Sequence, residues 1–264
     1  MLTKGRLVTA IAAVVMSTCG VAGAGTAVID FDFDSSTPVG SWQEREMVVT
    51  NEKGKQSVSV MRVSYLGDED RNGEKYAWIE TQMSNYKVKK KGRKQQGDPI
   101  YIKVLMKKSV LKGDIANALG NFNELADEVI MQTGDSQPMR IKGAGSMMGG
   151  MAQAIGLKVT YELSKQGSES VTVPAGTFEC DRYKGQGSSS AKVVFKTINV
   201  ESTATQWISG DVPFGVVKVI SDDVVDGEPQ HSQSELVAFG TSGARSMITG
   251  EPQEMPDLGG IFGG

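Results

Sequence analysis

Apolar and polar residues alternate along most of this chain, and that two-residue period predicts strands. Counting outward from Pro174, Ala175 and Gly176 puts Val171, Val173, Phe178 and Cys180 on one side and Thr172, Thr177 and Glu179 on the other. Proline presets φ for a turn, and glycine accepts the positive φ that a tight loop needs. The stretch reads as a hairpin with one buried face and one wet face.

The same alternation recurs on both sides of it. Runs at 42–50, 58–65, 76–83 and 100–106 read as strands, and 27–33 as a first strand or an extended arm, with a turn at 51–55 and a hairpin signal at Asn72 and Gly73. Within 58–65 the apolar positions switch phase, from Val58 and Val60 to Met61, Val63 and Tyr65, which predicts a β-bulge inside that strand. After Asp114, an N-cap, the residues Ile115, Leu119, Phe122 and Ala126 have helical spacing. Gly120 and three nearby asparagines predict that this helix is short or broken. A strand at 128–132 follows, then a Gly- and Met-rich loop or poor helix at 143–157.

Further strands are predicted at 158–163, 192–197, 202–209, 216–221, 236–239 and 244–249, with a turn at 211–215 and a polar loop at 228–233. Many short strands at this spacing predict a mainly β fold, the pattern of a sandwich or barrel. We expect a curved antiparallel sheet or half-open β-barrel, with one or two short helices inserted mid-chain to cover an open face.

Composition adds an address. Lys4 and Arg6 precede an apolar run at 7–16, and Ala22, Gly23 and Ala24 form a small-residue cleavage site. That is the layout of a secretory signal peptide. The run is too short to cross a bilayer, which takes about 20 apolar residues. The expected organisation is a signal peptide at 1–24, a single β-rich domain at 25–249 and a flexible Gly- and Pro-rich tail at 250–264, in a periplasmic or secreted protein. Removing Lys4 and Arg6 leaves 26 basic residues against 31 acidic ones. An acidic balance gives no general attraction to nucleic acid, so none is expected as a partner. Cys19 lies in the signal segment and follows Thr18 where a lipid-attachment motif has a small residue, so lipid anchoring there is not expected. Cys180 is then the only thiol left, and no internal disulfide forms.

Four groups of residues bear chemistry. Cys180 and the single histidine, His231, could build a thiol hydrolase, but Cys180 shares its phase with Val171, Val173 and Phe178 and reads as a core residue. Asp68, Glu69, Asp70 and Gly73 resemble the start of a calcium loop, yet its twelfth position is Ile79 and no carboxylate. Met147, Met148 and Met151 offer soft thioethers with no histidine or cysteine nearby, which favours a flexible lid or core plug over a copper site. Lys87, Lys89, Lys90, Lys91, Arg93 and Lys94 form a basic turn that keeps an edge from pairing, or touches an anionic surface. No metal, cofactor or catalytic residue is expected.

The segments 171–180 (VTVPAGTFEC) and 207–218 (WISGDVPFGVVK) resemble a paired pattern in exported bacterial β-rich proteins of uncharacterised function. Segments 76–80 and 236–249 resemble other parts of it. Such proteins are similar in fold to periplasmic lipoprotein carriers, whose curved half-barrel closed by helices holds acyl chains. The resemblance implies a non-enzymatic envelope protein that binds a lipid or acyl chain. The alternative is a structural or assembly partner of envelope proteins with a filled interior. Under the first expectation, Val171, Val173, Phe178, Cys180 and Trp207 line an apolar cavity, with Met147, Met148 and Met151 as its lid.

Overall fold

The computed structural model describes residues 37–88, 94–111, 126–193 and 196–255. Among them are β1 (Trp42–Asn51), β2 (Gln56–Arg71), β3 (Glu74–Val88), β4 (Lys94–Gln96), β5 (Ile100–Lys107), β6 (Glu128–Thr133), β7 (Met139–Lys142), β8 (Lys158–Val173), β9 (Gly176–Val193), β10 (Lys196–Ile208), β11 (Val216–Val225), β12 (Glu228–Gly240) and β13 (Gln253–Glu254). Two helices interrupt them, α1 (Lys108–Leu111) and α2 (Ala144–Ala154). The strands form one curved, unclosed sheet in the order β13-β7-β6-β5-β3-β2-β1-β12-β11-β10-β9-β8, with β4 beside β3. Neighbours are antiparallel except β13, which runs parallel to β7. The mainly β architecture with a curved, unclosed sheet agrees with the expected fold class. The expected signal segment, the run at 27–33, residues 89–93 of the expected basic turn at 87–94 and most of the helix expected from Asp114 lie outside the described residues; Lys87 and Lys94 belong to β3 and β4.

Two hairpins use turns with positive φ at both central residues, Asn72 (53°) with Gly73 (82°) and Asp226 (52°) with Gly227 (89°). Such turns match the twist of paired strands. The second one shortens the expected polar loop at 228–233 to nothing: these residues belong to β12. The run at 192–197 is also not one strand. It is the end of β9 and the start of β10, with Val193 opposite Lys196. A two-residue connection preserves the alternation, so the pattern alone cannot reveal it. The phase change at 58–65 marks no bulge either, because β1 and β2 stay in register from Trp42 opposite Ser64 to Thr50 opposite Gln56. The irregularity lies between Tyr65 and Gly67, where β2 meets β3.

One face of the sheet is apolar across five strands. Tyr65, Ile79, Val104, Val129 and Ile141 stand directly opposite one another in sequence across β2, β3, β5, β6 and β7. The sheet curls towards this face. The loop between β10 and β11 inserts Phe214 among Val63, Tyr65, Ala77, Ile79 and Met106 of β2, β3 and β5, and only an inward curl brings it there. At the far end, the β8–β9 hairpin tip folds over β12, where the Ala175 N–H donates to the Leu236 carbonyl at 3.1 Å.

A strap formed by the residues after β12 crosses the opposite face. It was expected to be a strand at 244–249, but side chains hold it, not a ladder. The buried Glu80 carboxylate accepts from the Ser246 hydroxyl at 2.5 Å and the Met247 N–H at 2.7 Å. Gln132, also buried, accepts from the Thr249 N–H at 2.9 Å. The strap runs beyond Gly250, where a flexible tail was expected, and Gln253–Glu254 pairs with β7.

Most of β8 is exposed, and the Ser-rich polar residues 164–170 are held chiefly by backbone pairing with β9. Tyr161 is its anchor. It lies across Gly187, its cross-strand partner, and Gly185, to reach the cluster of Ala204, Val216 and Val219. A Cβ at Gly185 would fall on the Tyr161 hydroxyl, and one at Gly187 would lie 2.7 Å from Tyr161 Cδ2. The two glycines make room for an aromatic ring where any side chain would displace it. Gly185→Val is expected to destabilise the fold by about 1–3 kcal/mol, the usual range for overpacking. A denaturant melt checks this, and in a Tyr161→Ala background the same substitution should have a much smaller effect.

Candidate functional site

Two apolar clusters line the inner face, and a third lies where the β8–β9 hairpin meets β11 and β12. The first contains Val63, Tyr65, Ala77, Ile79, Met106 and Phe214, with Met61 and Val104 packed against it. The second, on β5, β6, β7 and α2, contains Ile102, Ala126, Val129, Ile141 and Ala144, with Ile100, Val104, Met131, Met147 and Met255 only partly buried around it. Val104 touches both, so the two form a continuous apolar strip. The third joins Val173 and Cys180 to Val212, Val217 and Leu236, with Val171, Phe178, Trp207 and Phe239 packed against them.

Of the sequence candidates, Val171, Val173, Phe178, Cys180 and Trp207 therefore meet in one place. Phe178 meets Phe239 edge-on, with ring centroids 5.8 Å apart. The Trp207 indole N–H donates to Glu169 at 2.6 Å, and the Lys218 ammonium sits 5.9 Å from its ring centroid. These residues pack upon one another. Met147 belongs to the second cluster instead, on α2. Met148 and Met151 share that helix's backbone, but their side chains lie outside the described residues.

The chemical candidates have structural surroundings. Cys180 is 2% exposed, and its thiol donates to the Phe178 carbonyl at 3.6 Å. Burial first, and the carboxylates of Glu179, Asp181, Glu169 and Asp211 next, push this thiol up to about 11, which holds it protonated at neutral pH. His231 is exposed on β12, its Nδ1 2.8 Å from Asp222. The carboxylates of the calcium-like segment each meet a different donor: Asp68 meets Lys108 and Tyr65, Glu69 meets Arg71 and Trp78, and Asp70 accepts from the Gly73 N–H.

Two features of the interior carry no strong sequence signal. Phe214 is 1% exposed and holds a φ of 64°, followed by Gly215 at 73°. A bulky residue adopts that conformation only where its surroundings over-determine it. Gln43, fully buried, anchors this loop: with its amide nitrogen turned to the loop, it donates to the carbonyls of Pro213 at 3.1 Å and Val216 at 3.2 Å. The only signal was an aromatic residue between proline and glycine, which reads equally well as an ordinary turn.

The second feature is polar. Asp223 is 2% exposed on β11 and accepts from Ser202 at 2.5 Å and Ser221 at 3.1 Å. Ser221 also bonds Ser232 of β12 at 2.7 Å. Burial, the largest effect, outweighs the two hydroxyl donors and raises this carboxyl to about 6.

No protein-family model matches the chain, and no curated protein matches it. Solved structures with related shapes include a candidate exported protein with a YmcC-like fold from Bacteroides fragilis, 13% identical with a TM-score of 0.38, covering 80% of this chain and 99% of that one. A candidate lipoprotein from Parabacteroides distasonis is 16% identical with a TM-score of 0.40, over 80% of this chain and 99% of that one. A LolA-superfamily protein from Nitrosomonas europaea is 10% identical with a TM-score of 0.20, over 77% and 86%.

Proposed function

We propose that this is a non-enzymatic envelope protein that holds an apolar ligand, a lipid or acyl chain, on the inner face of its curved sheet. One observation carries the reading. Ile100, Val104, Met131 and Met147 stand on or beside that inner face, yet they are only partly buried, in a strip bounded by Phe214 and α2. Methionine suits such a surface because its unbranched thioether adapts to variable apolar partners. The signal-peptide pattern at 1–24 supports an exported location, and among the described residues no helix is long and apolar enough to cross a membrane.

Native mass spectrometry of the purified protein tests this, with lipid extraction alongside. The expected result is a co-purified lipid or fatty acid, or stoichiometric uptake of a fluorescent acyl probe. Met147→Glu places a charge at the edge of the strip and should weaken uptake by about tenfold or more, since desolvating a charge against an acyl chain costs well over 1.4 kcal/mol. Absence of any bound lipid, with no probe uptake, would overturn the reading.

The filled part of the interior favours a second reading, a structural or assembly partner without a ligand. Phe214 and the Gln43-anchored loop occupy the space beside the strip. A protein that takes up no acyl probe but is retained by an envelope protein partner would support it.

A further inference from the structure

One edge of the sheet is β8, the last strand in the order among the described residues; the other is the two-residue β13. Edge strands present unpaired backbone groups, and proteins normally blunt them with short length, charged side chains or bulges. β8 is long, 16 residues, and its bulge falls late, between Lys165 and Gly167. The run 158–165 ahead of the bulge is a regular ladder against β9. Its inner-face residues are Val159, Tyr161, Leu163 and, at the bulge, Lys165, which pairs with Asp181 of β9; Leu163 is 39% exposed, one of few large apolar side chains left open among the described residues. Its charges alternate in sign, Lys158, Glu162 and Lys165, so a like-charge barrier is missing.

We propose that β8 pairs antiparallel with β8 of a second copy, about a two-fold axis passing at Tyr161, joining two sheets edge to edge. Opposed residues in an antiparallel pair share a face, so the axis of such a pair must pass at a residue and not between two. Centring on Glu162 would oppose that carboxylate to itself. Centring on Tyr161 uses the run from Lys158 to Ser164. It sets Val159 against Leu163 of the second copy, and the reverse, on the inner face. On the outer face it sets Thr160 against Glu162 and Lys158 against Ser164, with Lys158 diagonal to Glu162 of the second copy. Opposite charges and apolar pairs at these positions stabilise a sheet. Tyr161 leans back over Gly185 and Gly187, away from the edge, and leaves room at the axis. This proposal stands whether or not the strip holds a ligand.

Two measurements on the purified protein test it. Sedimentation equilibrium should show a reversible dimer, and Leu163→Lys should raise its dissociation constant at least tenfold while leaving the thermal melt of the diluted protein unchanged. Register is tested by cysteine pairing: Val159→Cys with Leu163→Cys should give a covalent dimer on mild oxidation, and either substitution alone should not. The native Cys180 is buried and stays out of this reaction. A protein that is monomeric at every concentration overturns the proposal and means that the edge is left open or capped from within its own chain. A dimer indifferent to Leu163→Lys, or cross-linked as well by one cysteine as by two, also overturns it.

Discussion

Replacing Phe214 with alanine is expected to lower stability by about 3–5 kcal/mol, the range for deleting a buried aromatic ring. The ring is the only contribution of its loop to the first cluster, and five residues from three strands close around it. The change should move the urea midpoint without altering the slope of the transition. A second variant separates packing from backbone strain. At an ordinary core position glycine is worse than alanine, because it adds backbone freedom to the unfolded chain. Here φ is 64°, which glycine adopts freely and alanine does not. Phe214→Gly should therefore be no less stable than Phe214→Ala. If glycine is clearly worse, the loop is not held in that conformation in solution.

The second large effect depends on pH. In the fold, the Asp223 carboxyl rises from its ordinary 3.8 to about 6, with burial the main cause. Below pH 3.8 the group is protonated in both folded and unfolded chains and has no net effect. As pH rises through 6, the unfolded chain is already ionised while the folded one must ionise a buried carboxyl. Native stability falls across that window, by about 3 kcal/mol at 1.36 kcal/mol for each unit separating the two values. Asp223→Asn should abolish this fall. The variant should be more stable than the natural protein at pH 7.5 and equal to it or weaker at pH 3.5, in denaturant titrations at both values. A gain of the same size at both pH values would show that ionisation of Asp223 is not responsible.

Much of the architecture was readable in the alternation because strand faces are a local property. Val63 and Tyr65, Ile102 and Val104, and Val171 and Val173 announce which side is buried, and each pair lies in an apolar cluster. Asn72 with Gly73 announced its turn, since few other residue pairs tolerate two positive φ values. The alternation was silent where a strand is wet on both faces, as at 164–170, and where one strand gives way to the next without a change of phase, as within 192–197.

The candidate site was less legible. The hairpin at 171–180 pointed to a real meeting of Val173, Cys180 and Trp207, but those residues fill their cluster, and the more open strip lies on β5, β6 and α2. The three methionines shared one label in the sequence, yet Met147 joins a different cluster from Trp207. Gln43, Glu80, Gln132 and Asp223 gave no signal, because a polar residue on a strand is ordinarily read as solvent-facing.

By itself, the amino-acid sequence determined most of the strands, the main turns and the buried face of many strands, because side-chain alternation and turn chemistry act between near neighbours. Only the tertiary structure decided how the sheet curls, that Phe214 reaches β2, β3 and β5, and that a strap tied to Glu80 and Gln132 covers the outer face. It also decided that β8 is the long strand left at one edge. These depend on contacts between residues far apart in the chain, and on carboxylates and amides whose burial is stable only once their distant donors and acceptors are in place.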